Sequence, residues 1–428
     1  MLNSTRTTSL NPLLEGLRPS PTLAMSMRMR ERAAAGEEVY RLGFGQSPFP
    51  VPEEVVQAAV AHIREKDYLP VSGLWPLREA VAAFHQRTSG QPCSPEQVLI
   101  GPGSKELIFN LQFAFEGEVL LPAPSWVSYA PQARLTGKQP RWIHTGAQHQ
   151  WKLQPAGLEA TCEQVGDVPK LLILNSPNNP SGQSFSPEEC RELAAVARRY
   201  GLLLLSDEIY GELHHEGRHS CMAPYYPEGT VVTGGISKWC GAGGWRLGYA
   251  IFPPQLQWLQ QAMSSMASET YSAVSAPIQY AAVNAFRGSQ SLDDYLQASR
   301  RILKAIGQYC YRELRQAGIT LPPPDGGFYL FPSFESCKGR WKHQTITTDR
   351  QLCEKLLDET GVALLPGSDF GCDPASLCAR LAYVDFDGEK ALQAVQNGHI
   401  QPEDAAFIPE YAPLIQQAVQ RVREWTMP

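Results

Sequence analysis

Residues 233–249 read TGGISKWCGAGGWRLGY, and the rest of the chain is organised around them. The run Thr230-Val231-Val232-Thr233 leads in as a short apolar strand suited to burial. Two glycines follow, then a single lysine, Lys238. Four more glycines and one arginine, Arg246, come within the next ten residues. Backbone without Cβ lets a flat ligand approach closely. The lysine amine can bond covalently to a carbonyl carbon, and an arginine fork eight residues on can grip a phosphate with two parallel hydrogen bonds. A glycine-rich surface loop with two solvated cations is the alternative reading of the stretch taken alone. A dinucleotide fingerprint is excluded, because the third glycine position of GxGxxG in GAGGWR is Arg246.

The chain has 428 residues, 43% hydrophobic and 19% charged, enough for one large domain or two. A formal net charge of −6 argues against a nucleic-acid or anionic-membrane surface, so any anion site must be local. Ten cysteines are scattered without a CxxC pair, which fits neither a zinc knuckle nor a disulfide scaffold. They read as small buried apolar residues of a reduced, cytoplasmic protein. No run of eighteen apolar residues exists, so no transmembrane helix is expected. Residues 1–20 lack the apolar core of a secretory signal and read as a mobile arm.

Helices are expected over 25–36, from 52 to about 65, and over 77–88, with a strand-like YRLGFG at 40–45 and a loop at 67–76. From about residue 97 strand and helix alternate. Apolar strands at 98–100, 119–121, 170–174 and 202–205 end respectively in Gly-Pro-Gly-Ser-Lys, Pro-Ala-Pro-Ser-Trp, Asn-Ser-Pro-Asn-Asn-Pro-Ser-Gly and Ser-Asp-Glu. Helices are expected over 106–115 and 187–199. Short, fully apolar strands separated by helices indicate a parallel sheet covered on both faces. In such sheets ligands sit outside the carboxyl ends of the strands, where all these polar motifs fall. After residue 254 three helices are expected (255–268, 277–286, 292–316). Short strands at 328–331, 362–365 and 377–383 and a helix at 351–360 then suggest a smaller α+β domain.

The polar motifs match the needs of pyridoxal phosphate: a lysine for the aldehyde, an acid beside the ring nitrogen, donors to the ring hydroxyl, a phosphate cradle and a stacking face. Asp207 ends a buried strand, where a lone carboxylate is costly unless paired, and a pyridinium would pair it. Tyr210 is three residues on, and the Asn179 amide can donate to the ring oxygen. Gly103-Ser104-Lys105 opens a helix after a strand, a natural phosphate site. Trp126 can supply the stacking face. Each residue has a plainer reading: Asp207 or Ser104 as helix cap, residues 179–182 as a turn, Trp126 and Tyr210 as core aromatics. Their common placement at strand ends favours the shared site.

At these residues the sequence resembles the class I/II aminotransferases, fold type I of the pyridoxal-phosphate enzymes. The motifs are NSPNNPSG (175–182), SDEIYGEL (206–213) and SK…GGWRLGY (237–249), with RPSPTLAM (18–25), KDYLPVSGLWPLREAV (66–81), GPGSKELIFNLQFAF (101–115), PAPSWVSY (122–129) and LLPGSDFG (364–371) around them. The likeness covers about residues 17–385 and is nearest to the bacterial subgroup Ib aspartate/prephenate enzymes. It implies a large domain (51–295) with a mostly parallel sheet, a small C-terminal domain (296–428), and an N-terminal arm and small-domain segment (1–50). It implies that Lys238 forms the Schiff base and shuttles the Cα proton. Asp207 pairs with the ring nitrogen; Tyr210 and Asn179 serve the ring hydroxyl; Gly103, Ser104, Lys105, Ser237 and Arg246 lie at the phosphate; Trp126 stacks. Arg380, in CARLAYV, would clamp the substrate α-carboxylate, with the Gly45 backbone over it and Trp126 and Asn179 bordering the substrate. Lys105 would also meet a distal carboxylate, favouring aspartate or glutamate as donor. Tyr68 would reach the phosphate of a neighbouring subunit, which requires a homodimer. The reaction implied is ping-pong amino transfer between an amino acid and a 2-oxo acid.

Three features depart from the family pattern. Gln46-Ser47-Pro48 stands where the family carries an acidic Gly-Glu-Pro-Asp pattern. Residues 336–347 (SCKGRWKHQTIT) look inserted, and residues 387–413 lie beyond the common pattern. They keep open a lyase, cyclase or oxidase of an amino acid on the same fold and cofactor. A regulatory module would be expected to lack Lys238 or to carry a basic helix-turn-helix, and the sequence fits neither. His214, His215 and His219 (HHEGRH) could suggest a metal, but they fall where the family has a surface hairpin, and no metal is expected.

Overall fold

The computed structural model describes residues 10–339, 341 and 346–427. The first nine residues of the expected arm, and residues 340 and 342–345 of the expected insertion, lie outside them. Helices α1 (Pro21–Ala34), α2 (Glu53–Ala61) and α3 (Trp75–Ser89) precede strand β1 (Val98–Gly101). There follow α4 (Ser104–Ala114), β2 (Glu118–Ala123), α5 (Tyr129–Leu135), β3 (Arg141–His144), α6 (Pro155–Val165), β4 (Lys170–Asn175), α7 (Pro187–Arg199), β5 (Leu203–Asp207), β6 (Thr230–Gly235) and β7 (Gly248–Ile251). Helices α8 (Gln257–Glu269), α9 (Ala276–Arg287) and α10 (Gln290–Gln316) lead to β8 (Tyr329–Leu330), α11 (Asp349–Thr360), β9 (Leu365–Pro366) and β10 (Ala379–Ala382). The chain ends in α12 (Gly388–Gln396), α13 (Phe407–Tyr411) and α14 (Pro413–Thr426).

Local chemistry sets these bounds. Helix α7 matches its expected limits because both ends are marked. The Ser186 side chain accepts from the Glu189 N–H while Glu189 returns a bond to the Ser186 N–H, Pro187 opens the first turn, and Arg198 and Arg199 close the last. Helix α1 begins at Pro21 rather than 25, because Ser20-Pro21 is already a start signal. Strand β8 is shorter than expected, and residues 40–45 make only one bridge, Tyr40 to Val362, at the margin of the second sheet. Helix α10 runs continuously through the expected domain junction at 295–296.

The large sheet has the order β1-β7-β6-β5-β4-β2-β3. Strands β3, β2, β4, β5 and β6 are parallel, and β7 runs antiparallel between β6 and β1. Its strands alternate their apolar side chains between two covered faces. Leu171 and Ile173 pack with Leu107 and Leu111 of α4, whereas Leu172 and Leu174 pack with Leu193 and Ala197 of α7. The pairing aligns the carboxyl ends: Asn175 is beside Asp207, and Asp207 beside Thr233. At the same edge Gly248 of β7 faces Gly101 and Gly235. A three-stranded antiparallel sheet, β8-β10-β9, carries Arg380 on its central strand. The Ala382 N–H donates to the Leu42 carbonyl, 2.7 Å, which draws residues 43–50 toward the carboxyl edge of the large sheet.

Candidate active site

Lys238 follows β6, and its Nζ donates to the Gly45 carbonyl at 2.9 Å. It stands 5.6 Å from the ring centre of Tyr210 and 5.7 Å from that of Phe328. Burial of the amine, with Arg380 and Arg246 nearby, lowers its pKa to about 8, against the pull of Asp207. The amine is thus far easier to deprotonate near neutral pH than an ordinary lysine, as a nucleophile and a proton carrier require.

Asp207 is the last residue of β5 and is 2% exposed, and the helical turn that follows, Gly211–Leu213, is capped by Tyr210 instead. The Tyr129 hydroxyl donates to its Oδ2 at 2.6 Å, and the Thr233 hydroxyl reaches Oδ1 at 3.4 Å. Burial outweighs these bonds and pushes the carboxyl up to about 6. Among the described residues no basic side chain forms an ion pair with it. A buried carboxylate oriented by neutral donors fits a cationic ring nitrogen.

The phosphate cradle is equally defined. Gly103 has φ +90°, and a Cβ there would fall on the Arg246 guanidinium. Arg246 donates to the carbonyls of Gly243 (2.9 Å) and Pro102 (3.2 Å), which aligns it with the first turn of α4. A side chain at Gly248 would strike the Ser104 amide and lie 2.7 Å from the Gly103 carbonyl carbon. Glycine at both positions brings the open amides of a helix N-terminus against an arginine, which is an anion site. Ser237 closes the same turn, half-buried beside Lys238.

Arg380 is 1% exposed. It donates to Asn179 Oδ1 (3.0 Å) and to the Gly43 carbonyl (2.7 Å), and its guanidinium lies 4.8 Å from the Tyr329 ring centre. Its Nε is buried without a partner. A buried cation bonded only to neutral acceptors is prepared for a carboxylate. Because Arg380 occupies Asn179 Oδ1, the amide nitrogen of Asn179 is the end left to donate. Lys105 Nζ stands 5.1 Å from the Trp126 ring centre. Partial desolvation, then Arg246, lower its pKa. The structure thus gathers Lys238, Asp207, Tyr210, Asn179, Gly45 and Arg380 around one edge, with Ser104 and Lys105 in the first turn of α4 and Gly103, Trp126, Ser237 and Arg246 on the loops beside it. Tyr68 does not join them within the chain; it is 93% exposed on the loop after α2.

Sequence reasoning missed Tyr129, Thr233, Asn175 and Tyr329. Asn175 accepts from the Asn179 N–H (2.6 Å) and donates to the Asp207 carbonyl (2.8 Å), which locks two strand-end loops together. The histidines of HHEGRH have structural partners. His219 Nε2 meets Glu208 at 3.0 Å, His215 donates to the Gly327 carbonyl at 3.1 Å, and His214 Nδ1 accepts from the Glu216 and Arg218 N–H groups. Among the described residues no three metal-ligating side chains cluster.

Fold and site together define a pyridoxal-phosphate enzyme of fold type I. The sequence profile of "Aminotransferase class I and II" matches residues 37–396. The chain is 34% identical over 399 residues to a probable aspartate/prephenate aminotransferase of Rhizobium leguminosarum bv. phaseoli, covering 90% of this chain and 96% of that one. It is 35% identical over 379 residues to an aspartate aminotransferase of Geobacillus stearothermophilus, covering 86% and 92%. The aspartate aminotransferase from Thermus thermophilus with maleate superposes with a TM-score of 0.83 at 26% identity, covering 98% of this chain and all of that one. The chain belongs to the class I and II aminotransferases. It is a pyridoxal-phosphate-dependent aminotransferase that moves an amino group between an amino acid and a 2-oxo acid.

Proposed function

We propose that the residues around Lys238 carry this transfer and that the preferred amino donor is acidic, aspartate or glutamate. The observation that carries the donor reading is Lys105. It is the second residue of α4, its ammonium lies over Trp126, and among the described residues it has no acidic partner within ion-pair distance. Arg380 and Lys105 then give one cation for each carboxylate of a dicarboxylic donor. The relatives named above, an aspartate aminotransferase and a probable aspartate/prephenate aminotransferase, support the same reading.

When bound, pyridoxal phosphate supplies an aldehyde and an electron-poor ring that accepts the electron pair left at the substrate Cα. The protein supplies the rest. Lys238 Nζ would be the covalent attachment point and would carry the proton of the substrate Cα. Asp207, aimed by Tyr129 and Thr233, balances the charge of the ring nitrogen. Tyr210 and Asn179 would serve the ring hydroxyl, and Gly103, Ser104, Ser237 and Arg246 would hold the phosphate. Trp126 would cover one ring face, and Arg380 would orient the substrate through its α-carboxylate beside the Gly45 backbone. In this reading residues 51–295 would be the large domain, with Gly45 before it and Arg380 after it on the carboxylate side.

Tyr68, nearly fully exposed, supports a homodimer in which it reaches the phosphate site of a second copy. Sedimentation should then give twice the chain mass, and Tyr68→Ala should weaken cofactor affinity without dissociating the dimer. A fully active monomer would contradict this. Cys162, Cys190, Cys221, Cys240, Cys310, Cys353 and Cys378 are buried as thiols, which supports a reducing, cytoplasmic setting. No helix among the described residues is long and apolar enough to cross a membrane.

An amino-donor series with 2-oxoglutarate tests the donor reading. Lys105→Gln should lower kcat/KM for aspartate by about 10- to 100-fold and leave alanine within about twofold. Equal losses for both donors would remove Lys105 from substrate recognition.

A further inference from the structure

Tyr329, on β8 of the small sheet, touches each part of the site that must stay in register. Its hydroxyl oxygen is 2.8 Å from that of Tyr210. Its ring lies under the Arg380 guanidinium at 4.8 Å. A Cβ at Gly45 would strike its hydroxyl and come within 2.6 Å of its ring, so residue 45 must be glycine for the Lys238 acceptor to lie where it does. Its backbone carbonyl fills the space above Gly182, at the end of the Asn179 loop. The ring is 1% exposed and is held by Phe328 at 4.8 Å and edge-on by Tyr210 at 5.6 Å. Most of a buried tyrosine's stabilisation comes from its ring, so a phenylalanine would pack as well; the hydroxyl is what the site uses.

We propose that Tyr329 is a positioning residue for the transfer reaction, acting through Tyr210 by its hydroxyl and through Arg380 by its ring. The proposal rests on the roles assigned above to Tyr210 and Arg380. Two hydroxyls 2.8 Å apart share one proton between them. When Tyr210 turns its own proton toward the cofactor's ring oxygen, Tyr329 must be the donor in the pair. A hydroxyl that accepts a hydrogen bond becomes a stronger donor. Tyr329 thereby strengthens the bond that favours the anionic ring oxygen. Its ring, meanwhile, fixes the plane of Arg380, so the carboxylate grip and the cofactor contact move as one piece.

Tyr329→Phe keeps the ring and removes the hydroxyl; Tyr329→Leu removes both. The readout is the pH midpoint of the visible absorption of the cofactor-loaded protein, together with the affinity for a non-reactive dicarboxylate. Tyr329→Phe should move the midpoint upward by about half a pH unit, because a less stabilised ring oxygen retains the neighbouring proton to higher pH. It should leave dicarboxylate affinity within about twofold, since the ring under Arg380 remains. In a Tyr210→Phe background the same substitution should leave the midpoint unmoved. Tyr329→Leu should weaken dicarboxylate binding by about tenfold; if it does not fold, the Phe pair alone decides. A midpoint unchanged by Tyr329→Phe, or shifted equally with and without the Tyr210 hydroxyl, overturns the proposal. If wild-type protein takes up no cofactor with a visible band, the reading of the site itself fails, and that result is distinct from failure of Tyr329 alone.

Discussion

Asp207 can be followed through its charge states. Its carboxyl is raised to about 6 by burial, whereas an unfolded aspartate titrates near its ordinary value. The folded chain therefore binds that proton more tightly than the unfolded chain. Stability from this group is present below about pH 4 and is lost as pH rises through about 6, a cost on the order of 3 kcal/mol in cofactor-free protein. A cationic ring nitrogen removes that cost. Cofactor-free Asp207→Asn should melt above cofactor-free wild type at pH 8 and about level with it at pH 4, while its transamination rate falls by at least about 100-fold. Melting of the variant below wild type at pH 8 would show that the carboxylate is not strained there. Asp207 was legible because it follows an apolar strand, Lys238 and Arg246 because they stand in a glycine-rich loop, and Arg380 as one arginine in an apolar strand whose role came from the family resemblance. Tyr129 and Tyr329 were not. A tyrosine among apolar neighbours carries the pattern of a core residue, and only the fold brings Tyr129 within 2.6 Å of a carboxylate distant in sequence.

The phosphate cradle is a property of elements. The end of β1, the first turn of α4 and the turn after β6 meet because Gly103 and Gly248 leave room for backbone and guanidinium. Gly103→Ala adds a methyl group where the Arg246 guanidinium lies, at a φ of +90° that alanine avoids. Cofactor titration should show at least about tenfold weaker affinity, because both the helix amides and the arginine are displaced. Unchanged affinity would mean that the anion is held elsewhere. Strands β1, β2, β4, β5 and β6 were readable as short apolar runs, and α7 from its capping signals. Strand β7 was hidden inside the glycine-rich motif, where Gly248 begins a four-residue run too short to show a period. Strand β3 is an edge strand, largely exposed, with one buried residue, Ile143. The segment at 387–413, expected to lie beyond the common pattern, forms α12 and α13, where Ala391 and Phe407 are fully buried, and the family match at 37–396 takes in α12.

At the scale of the whole chain, two sheets divide the work. The large sheet aligns Asn175, Asp207 and Thr233 at one edge, and the small sheet carries Arg380 and Tyr329 to the same place. The covered parallel sheet and the placement of polar motifs at strand ends followed from alternation, and fold type I from the family resemblance. Strand order did not, because nothing in local sequence says that β7 inserts antiparallel between β6 and β1. The central claim is that Lys238 is the point where this chain holds its cofactor. Borohydride reduction of the loaded protein followed by peptide mass mapping tests it most directly. The pyridoxyl mass should appear on the peptide carrying Lys238 and disappear in Lys238→Ala; the same mass on Lys105 or another lysine, with Lys238 unmodified, would contradict the account.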